Sequence, residues 1–537
     1  MKKIFTASLV LASCFAAAAQ SYNFKLGKWV EINNSILKEL NRSYVDTLPV
    51  DRMQRVGLDA MLDNLDPYTV YVPEEENENL EMMIHKTYGG IGALIYKPDK
   101  NGNVIINEPY AGSPAQKYGL KCGDEIMEID GVPVKGLDSQ AASERMRGEP
   151  GSKVVFKVKK LRPAGVEDVT VVREKIRIPD VEYYGMLNGT VGYISQSGFT
   201  EGVAGEIRNA VQDLKSQGMK TLVLDLRGNG GGLLSEAADI VSLFVPKGSL
   251  VVTVKGRDPR ASYVVKTQKD PVDLKLPVVI MVDGSSASAS EIVAGALQDL
   301  DRATVMGKRT YGKGLVQTIR PLPYGGELKL TTAKYYTPSG RCVQAIDYSR
   351  RNGDGSVKHI PDSLTKEFKT VGGRSVRDGG GITPDVEIDA KDYSRLVYSL
   401  VAYGITEQYA LEFVRRNDSI PAVEEFRLSD ADYEDFITYA KGKEFDYRTS
   451  AKTYFDQMRK ELAKDGIEES MTAELDALQK SLEMDKETFL RLKKNEIIPF
   501  LEEEIAVRYY FQEAGVKVRI RYDEALWKAV NTPPIKF

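Results

Sequence analysis

The chain has 537 residues, 42% of them hydrophobic and 28% charged, a length beyond one ordinary core that implies three or four domains, each burying its own centre. The balance of 77 acidic against 73 basic side chains, net −4, argues against a general nucleic-acid binder. Cys14, Cys122 and Cys342 lie far apart, so neither a disulfide framework nor a zinc site is indicated, and the last two read as free thiols.

The N-terminus runs Met1-Lys2-Lys3, an apolar stretch from Ile4 to Ser13, then Ala16 to Ala19 and Gln20, the layout of a secretory signal cleaved near residue 20. Leu11-Ala12-Ser13-Cys14 also fits a lipoprotein box, but Cys14 is followed by Phe15 and alanines rather than a polar tether, which favours simple cleavage and a periplasmic protein; lipidation of Cys14 is the alternative. Past this segment no apolar run reaches the roughly 20 residues of a membrane-spanning helix. Residues 25 to 85 carry helical periodicity, through Trp29, Ile32, Ile36, Leu37 and Leu40 and then Val56, Met61, Leu62 and Leu65, stopping at Asp66-Pro67. The run Glu74-Glu75-Glu76-Asn77-Glu78 suits the first turns of a helix, where negative charge complements the dipole.

From Gly89 to Lys160 the pattern shifts to short strands between glycine turns, Gly90 to Ile95, Val104 to Ile106, Asp124 to Gly131 and Lys153 to Val158. Two short helices interrupt it: Ser113 to Gly119, with serine as N-cap, proline in the first turn and glycine as stop, and Leu137 to Arg147. The phrase from Ser113-Pro114-Ala115 through Gly119-Leu120-Lys121-Cys122-Gly123-Asp124 to Ile129-Asp130-Gly131 resembles a PDZ domain over about seventy residues. The resemblance implies binding of extended C-terminal peptides by strand addition, with the loop Gly89-Gly90-Ile91-Gly92 receiving the terminal carboxylate. Those glycines also fit a plain tight turn.

From Val191 onward strand and helix alternate: Val191 to Ile194, a helix from Val203 to Gln217, Thr221 to Leu226, a helix from Leu234 to Phe244, Val278 to Val282, and a helix from Ala289 to Leu300. This is an α/β pattern with crossover helices. A hairpin follows at Leu315 to Arg320 and Glu327 to Tyr336, then a Gly/Arg/Asp/Ser-rich loop excursion over 347–381, and a helical region after about 392.

Two glycine-rich turns leave the C-terminal ends of expected parallel strands, Arg227-Gly228-Asn229-Gly230-Gly231-Gly232 and Gly284 to Ser288, the edge where open α/β sheets place ligands. Bare backbone approaches a carbonyl closely and supplies N–H donors for an oxyanion; Gly231, with Gly232 as the nearby alternative, and Ala289 are the candidates. With only His85 and His359 in the chain, neither beside a nucleophile motif, a Ser-Lys pair is the better source of nucleophile and base.

Asp225 to Gly232, Ser286-Ala287-Ser288-Ala289-Ser290-Glu291, Ala294 to Asp299 and Gly312-Lys313-Gly314-Leu315-Val316-Gln317 together resemble the C-terminal processing (tail-specific) peptidases of serine peptidase family S41, from about residue 40 to 390. The resemblance implies Ser288 as nucleophile, Lys313 as general base, Gln317 as the residue orienting the lysine, Arg147 as a contact between the PDZ module and the core, and cleavage of proteins selected by their C-terminal ends, with no metal or organic cofactor. The implied fold is multidomain α+β: signal 1–19, helical N-terminal domain 20–87, PDZ domain 88–162, an α/β crotonase/ClpP-like protease core 163–391 and a helical C-terminal region 392–537, suited to packing on the core or to a homo-oligomer or adaptor surface. A lysine acting as base near neutrality needs its pKa lowered by about three units, roughly 4 kcal/mol, which burial has to supply; Tyr311, Leu315 and Val316 offer apolar surface for such a pocket.

Taken singly, each piece has a plainer reading. Ser288 with Glu291 is a capping box, Lys313 a surface lysine, Gly230 to Gly232 a flexible loop, and Gln317 a solvent-facing strand residue, while Glu291 and Asp299 read as structural. Two other functions compete: a PDZ scaffold whose core no longer cleaves, and a crotonase-like enzyme acting on an acyl thioester, which would not require the serine and lysine.

Overall fold

The computed structural model describes residues 2–77, 82, 85–97, 101–161, 163–352 and 355–537, with side chains from Tyr22 onward. It divides into two units, residues 1–71 with 328–330, and the remainder. In the first, helices Lys2–Ser43 and Val50–Asp63 follow the expected periodicity. Asp66 ends the second helix by accepting the N–H groups of Tyr68 and Thr69, both at 2.9 Å. The apolar stripe is not a core, however: Trp29, Ile36, Val56 and Met61 are exposed, and Leu62 is the buried residue of its helix. The acidic run begins with one 3-10 turn, Glu74–Glu76, and Glu78 lies outside the described residues.

In the second unit, an antiparallel sheet takes its strands in the order Ala93–Tyr96, Val104–Pro109, Glu125–Ile129, Lys153–Lys160 and Gly165–Val172. Val104, Ile106, Ile126, Ile129, Phe156 and Val158 close its core against helices Pro114–Lys117 and Ser139–Met146. Ser113 caps the first helix by accepting the Gln116 N–H at 3.3 Å, and Asp138 caps the second from Ala141 at 2.8 Å. Gly165–Val172 pairs with Lys153–Lys160 along its whole length, so this sheet runs beyond residue 162. Among the described residues Ala93–Tyr96 pairs with Val104–Pro109 alone and stands at the edge of the sheet, the position at which a strand can be added.

A six-stranded sheet follows, ordered Val181–Met186, Val191–Gln196, Thr221–Asp225, Val278–Val282, Thr304–Gly307 and Val386–Glu387, parallel except for the first pair. Its central strands are apolar without alternation, as strands covered on both faces must be. Leu222, Leu224, Val278, Ile280 and Val282 face helices Val203–Ser216, Leu234–Ser242 and Ala289–Asp299. Val223, Val279, Met281 and Met306 face the other way and are covered by Val516, Ile520, Leu526 and Ala529 from the last two helices. Each of the Val, Leu, Ile and Met side chains taken out of water stabilises the fold by about 1.5–3 kcal/mol, so the C-terminal segment is a layer of the core sheet.

The helical region has its own aromatic centre, with Tyr409 edge-on to Phe436 at 5.2 Å, and Tyr433, Leu501 and Ile505 beside them. Helix Lys494–Tyr522 breaks at Phe511, where φ is +66°. Its first half belongs to this centre, its second half lies on the core sheet, and at the break the Gln512 N–H donates to the buried Glu108 carboxylate of the PDZ-like sheet at 2.8 Å. The expected loop excursion contains two short hairpins, Ile346–Arg351 with Val357–His359 and Glu367–Lys369 with Ser375–Arg377. Cys122 and Cys342 are free, and burial pushes the Cys122 thiol up to about 12. Among the described residues no helix is long and apolar enough to cross a membrane.

Candidate active site

Strand Val278–Val282 ends in a turn that Asp283 ties down: its Oδ1 accepts the N–H groups of Ser285 at 2.9 Å, Ser286 at 3.1 Å and, from the neighbouring glycine turn, Gly228 at 3.0 Å. Ser286 Oγ donates to the Leu226 carbonyl at 2.7 Å, and the Asn229 carbonyl accepts from the Ala287 N–H at 3.0 Å and Ser290 Oγ at 2.9 Å. The two glycine-rich turns are therefore stitched together. Ser288 sits at their junction with φ +56° and ψ −112°, a conformation L residues rarely adopt and one that costs about 1–3 kcal/mol unless its surroundings over-determine it.

The fully buried Glu291 carboxylate fixes the relation of Ser288 to Lys313. One oxygen accepts the backbone N–H of Ser288 at 2.9 Å and of Lys313 at 2.8 Å. The other accepts Thr310 Oγ1 at 2.6 Å and the Gly312 N–H at 2.8 Å. Burial raises the Glu291 pKa against the pull of these four donors; every neighbour is a donor, and that arrangement suits the anion. From the opposite side the Tyr335 hydroxyl donates to the Lys313 carbonyl at 2.7 Å and lies 3.2 Å from the Ser288 carbonyl. Burial, reinforced by the Glu291 charge, holds this phenol well above its ordinary pKa, so it remains a donor. One carboxylate thus joins the two amides and one phenol the two carbonyls.

Lys313 is half-buried between two glycines that admit a close neighbour: a Cβ on Gly312 would lie 2.4 Å from the Ala345 Cβ, and one on Gly314 would lie 2.8 Å from the Gln344 N. Leu315 is buried and Val316 packs on the core, but Tyr311, expected beside them in an apolar pocket, is exposed. Gln317 lies two residues beyond Leu315 on strand Leu315–Pro321 and donates to Thr331 Oγ1 at 3.1 Å.

Gly231 has φ +101°, and a Cβ there would stand 2.7 Å from the Ala287 carbonyl oxygen, 2.8 Å from the Ser288 Cβ and 2.9 Å from the Ala289 N. The glycine turn therefore touches the serine turn as expected. Its Gly231 N–H, however, donates to Asn229 Oδ1 at 2.9 Å, which turns the preferred oxyanion donor toward its own loop. Gly232, at φ +151°, bridges to Phe199, and Ala289 begins the helix, where first-turn amides have no intrahelical acceptor.

Away from this centre, Gly89 and Gly90 lie in strand Thr87–Gly90, paired with Glu174–Arg177, and the Gly89 carbonyl accepts the Gly148 N–H at 3.1 Å. The Ile91 side chain is buried in the module's core, and the Ile91 and Gly92 carbonyls accept from Ala115 at 2.8 Å and Tyr110 at 2.9 Å. Arg147 stacks over the Tyr88 ring, 5.2 Å from its centroid. Asp299 pairs with the buried Arg341 at 2.8 Å, in keeping with a structural role. Sequence reasoning gave Glu291 only local contacts and did not single out Tyr335 or the buried Asn229. A lone asparagine inside a glycine run was a signal for Asn229, whereas Tyr335 offered none.

Comparison with known proteins adds three family matches: peptidase family S41 over residues 190–349, a PDZ domain over 105–160, and the probable PDZ-protease C-terminal helical domain over 396–532. A carboxy-terminal-processing protease of Bartonella bacilliformis is 34% identical over 351 residues, 64% of this chain and 80% of that protein. A probable CtpA-like serine protease of Staphylococcus aureus is 33% identical over 366 residues, 67% of this chain, which spans 65% of that relative's length. Among solved structures, a photosystem II D1 C-terminal processing protease is 27% identical, covering 65% of this chain and 86% of its own, with a TM-score of 0.35.

Proposed function

Because the chain belongs to peptidase family S41, we propose that it is a serine endopeptidase that cleaves proteins chosen by their C-terminal ends. The observation that carries this reading is the double tie between the main chains of Ser288 and Lys313 through Glu291 and Tyr335. A tie of that kind serves two side chains that must meet repeatedly in one geometry.

In the proposed reaction Ser288 Oγ attacks the scissile carbonyl while Lys313 Nζ takes its proton, then returns it to the leaving amine; water repeats the cycle on the acyl-enzyme. Gln317, on the strand that leaves the lysine, orients the amine. With Gly231 engaged by Asn229, the amides of Gly232 and Ala289 are the pair assigned to the oxyanion. The PDZ domain receives the substrate's C-terminus by strand addition at its edge strand Ala93–Tyr96. We further assign the core to the crotonase/ClpP-like folds, keep the domain limits given above except that the PDZ domain extends to Val172 with its last strand, and place the protein in the periplasm, where its substrates carry accessible C-termini. A fluorophosphonate or other serine-acylating probe tests the chemistry: it labels the wild type at Ser288, labels Lys313→Ala poorly and does not label Ser288→Ala. Equal labelling of all three would refute the assignment.

A further inference from the structure

The glycine turn has little of its own to hold its shape. Gly228, Gly230, Gly231 and Gly232 carry no side chains and the greatest backbone freedom of any residue, so the turn is set by its anchors. Asn229 is one of them. It is fully buried and hydrogen-bonded to the Gln196 carbonyl, the Gly231 N–H, the Ala287 N–H and Ser290 Oγ. Asp283, which accepts the Gly228 N–H at 3.0 Å, is a second, and Arg227, at the exit of strand Thr221–Asp225, is a third.

Its guanidinium is gripped from two sides. Asp225 Oδ1 accepts from Arg227 Nε at 2.9 Å and Asp225 Oδ2 accepts from Nη2 at 2.5 Å, while the Tyr193 hydroxyl donates to Oδ2 at 2.9 Å. On the other side Arg227 Nη2 donates at 2.6 Å to Oδ2 of Asp523, 296 residues away in sequence. Asp225 alone already supplies a counter-charge, so Asp523 is not needed to neutralise the arginine; it fixes the direction in which the guanidinium points. Asp523 can do this because it is held itself. Its Oδ1 accepts the Leu526 N–H at 2.8 Å and caps helix Glu524–Asn531, which packs on the second face of the core sheet through Leu526 and Ala529.

We propose that Asp523, acting through Arg227, is a positioning residue that sets the glycine turn against Ser288, so that the C-terminal helical region completes the oxyanion site. The inference rests on the peptidase reading above. Asp523→Asn separates the two tasks of the side chain, since the asparagine Oδ1 caps a helix as well as aspartate while its N–H2 group, in place of Oδ2, offers Arg227 no acceptor and turns the guanidinium away. In the purified full-length protein, acting on an unfolded polypeptide with a free apolar C-terminus, Asp523→Asn lowers kcat about tenfold at unchanged KM. Affinity for a peptide aldehyde, whose tetrahedral adduct places an oxyanion in the site, falls by the same factor. The melting temperature stays at the wild-type value, and Asp523→Glu recovers most of kcat. A kcat within twofold of wild type, or a loss matched by a fall in melting temperature, overturns the proposal. If wild-type cleavage survives Ser288→Ala, the peptidase reading itself fails, and that outcome is distinct from wild-type cleavage that depends on Ser288 but is untouched by Asp523→Asn.

Discussion

Glu291→Gln tests the site at the point where serine and lysine are joined. The carboxylate accepts four hydrogen bonds and is fully buried, whereas an amide offers one oxygen and one N–H2 group. The less costly orientation turns the oxygen toward Ser288 and Lys313 and the nitrogen toward Thr310 and Gly312. Thr310 Oγ1, already accepting the Ile382 N–H at 2.6 Å, can also accept from the new amide; the Gly312 N–H cannot and is left facing another donor. One buried unsatisfied N–H costs about 1–3 kcal/mol, and the loss of charge assistance to the Ser288 and Lys313 amides adds about 1 kcal/mol, so the variant loses about 2–4 kcal/mol. That corresponds to a fall of about 5–15 °C in melting temperature for a core of this size. Trp527 provides the readout, since its helix packs on the core sheet and its ring N–H donates to the Ile520 carbonyl at 2.8 Å. Cleavage falls with it, because the displaced Gly312 adjoins Lys313. A glutamine variant with wild-type melting and wild-type rate would show that the carboxylate does not hold the two turns together.

Gly231→Ala brings a Cβ within 2.7–2.9 Å of three atoms of the serine turn at φ +101°, so cleavage falls by about 100-fold or more while far-UV circular dichroism is unchanged; a normal rate would show that the turn has room to spare. Leu526→Ala removes a fully buried side chain from the second face of the core sheet and costs about 2–5 kcal/mol by urea denaturation followed at Trp527, and an unchanged midpoint would contradict the second-layer role of the C-terminus. At Asp273, burial pushes the carboxyl up, but Lys215 and the Lys275 and Leu276 amides outweigh it and hold the pKa down at about 2. A depressed value stabilises the fold above the ordinary carboxylate range near 4 and loses that stabilisation as pH falls through about 2, so Asp273→Asn is less stable by about 1 kcal/mol at pH 7, allowing for solvent screening, and the difference shrinks to a small fraction of that by pH 2. A stability difference undiminished between pH 7 and pH 2 would refute this.

The strands and helices of the α/β core stand close to where the sequence places them, because continuous Val/Ile/Leu runs, glycine stops and 3.6-residue periodicity all speak locally. The same runs, Leu222-Val223-Leu224 and Val278 to Val282, are apolar without alternation, which suits a sheet covered on both faces. What covers the second face, Val516 to Ala529, lies more than 200 residues away and has no local signature. At the N-terminus the periodicity predicts helices correctly, but periodicity does not guarantee burial, and Trp29 and Ile36 stand exposed. Of the candidate site, the motif residues were legible in Gly-Ser-Ser-Ala-Ser and Gly-Lys-Gly, while the orientation of the Gly231 amide depends on an Asn229 side chain that can face either way. Tyr335 and Asp523 are single residues far from both motifs, and only the fold brings them there.

The central claim is tested most directly by incubating the purified protein, beside Ser288→Ala and Lys313→Ala, with an unfolded substrate bearing either a free or an amidated apolar C-terminus. The account predicts cleavage by the wild type alone, reduced by amidation. Cleavage by either variant at the wild-type rate, or cleavage indifferent to the state of the C-terminus, would contradict it.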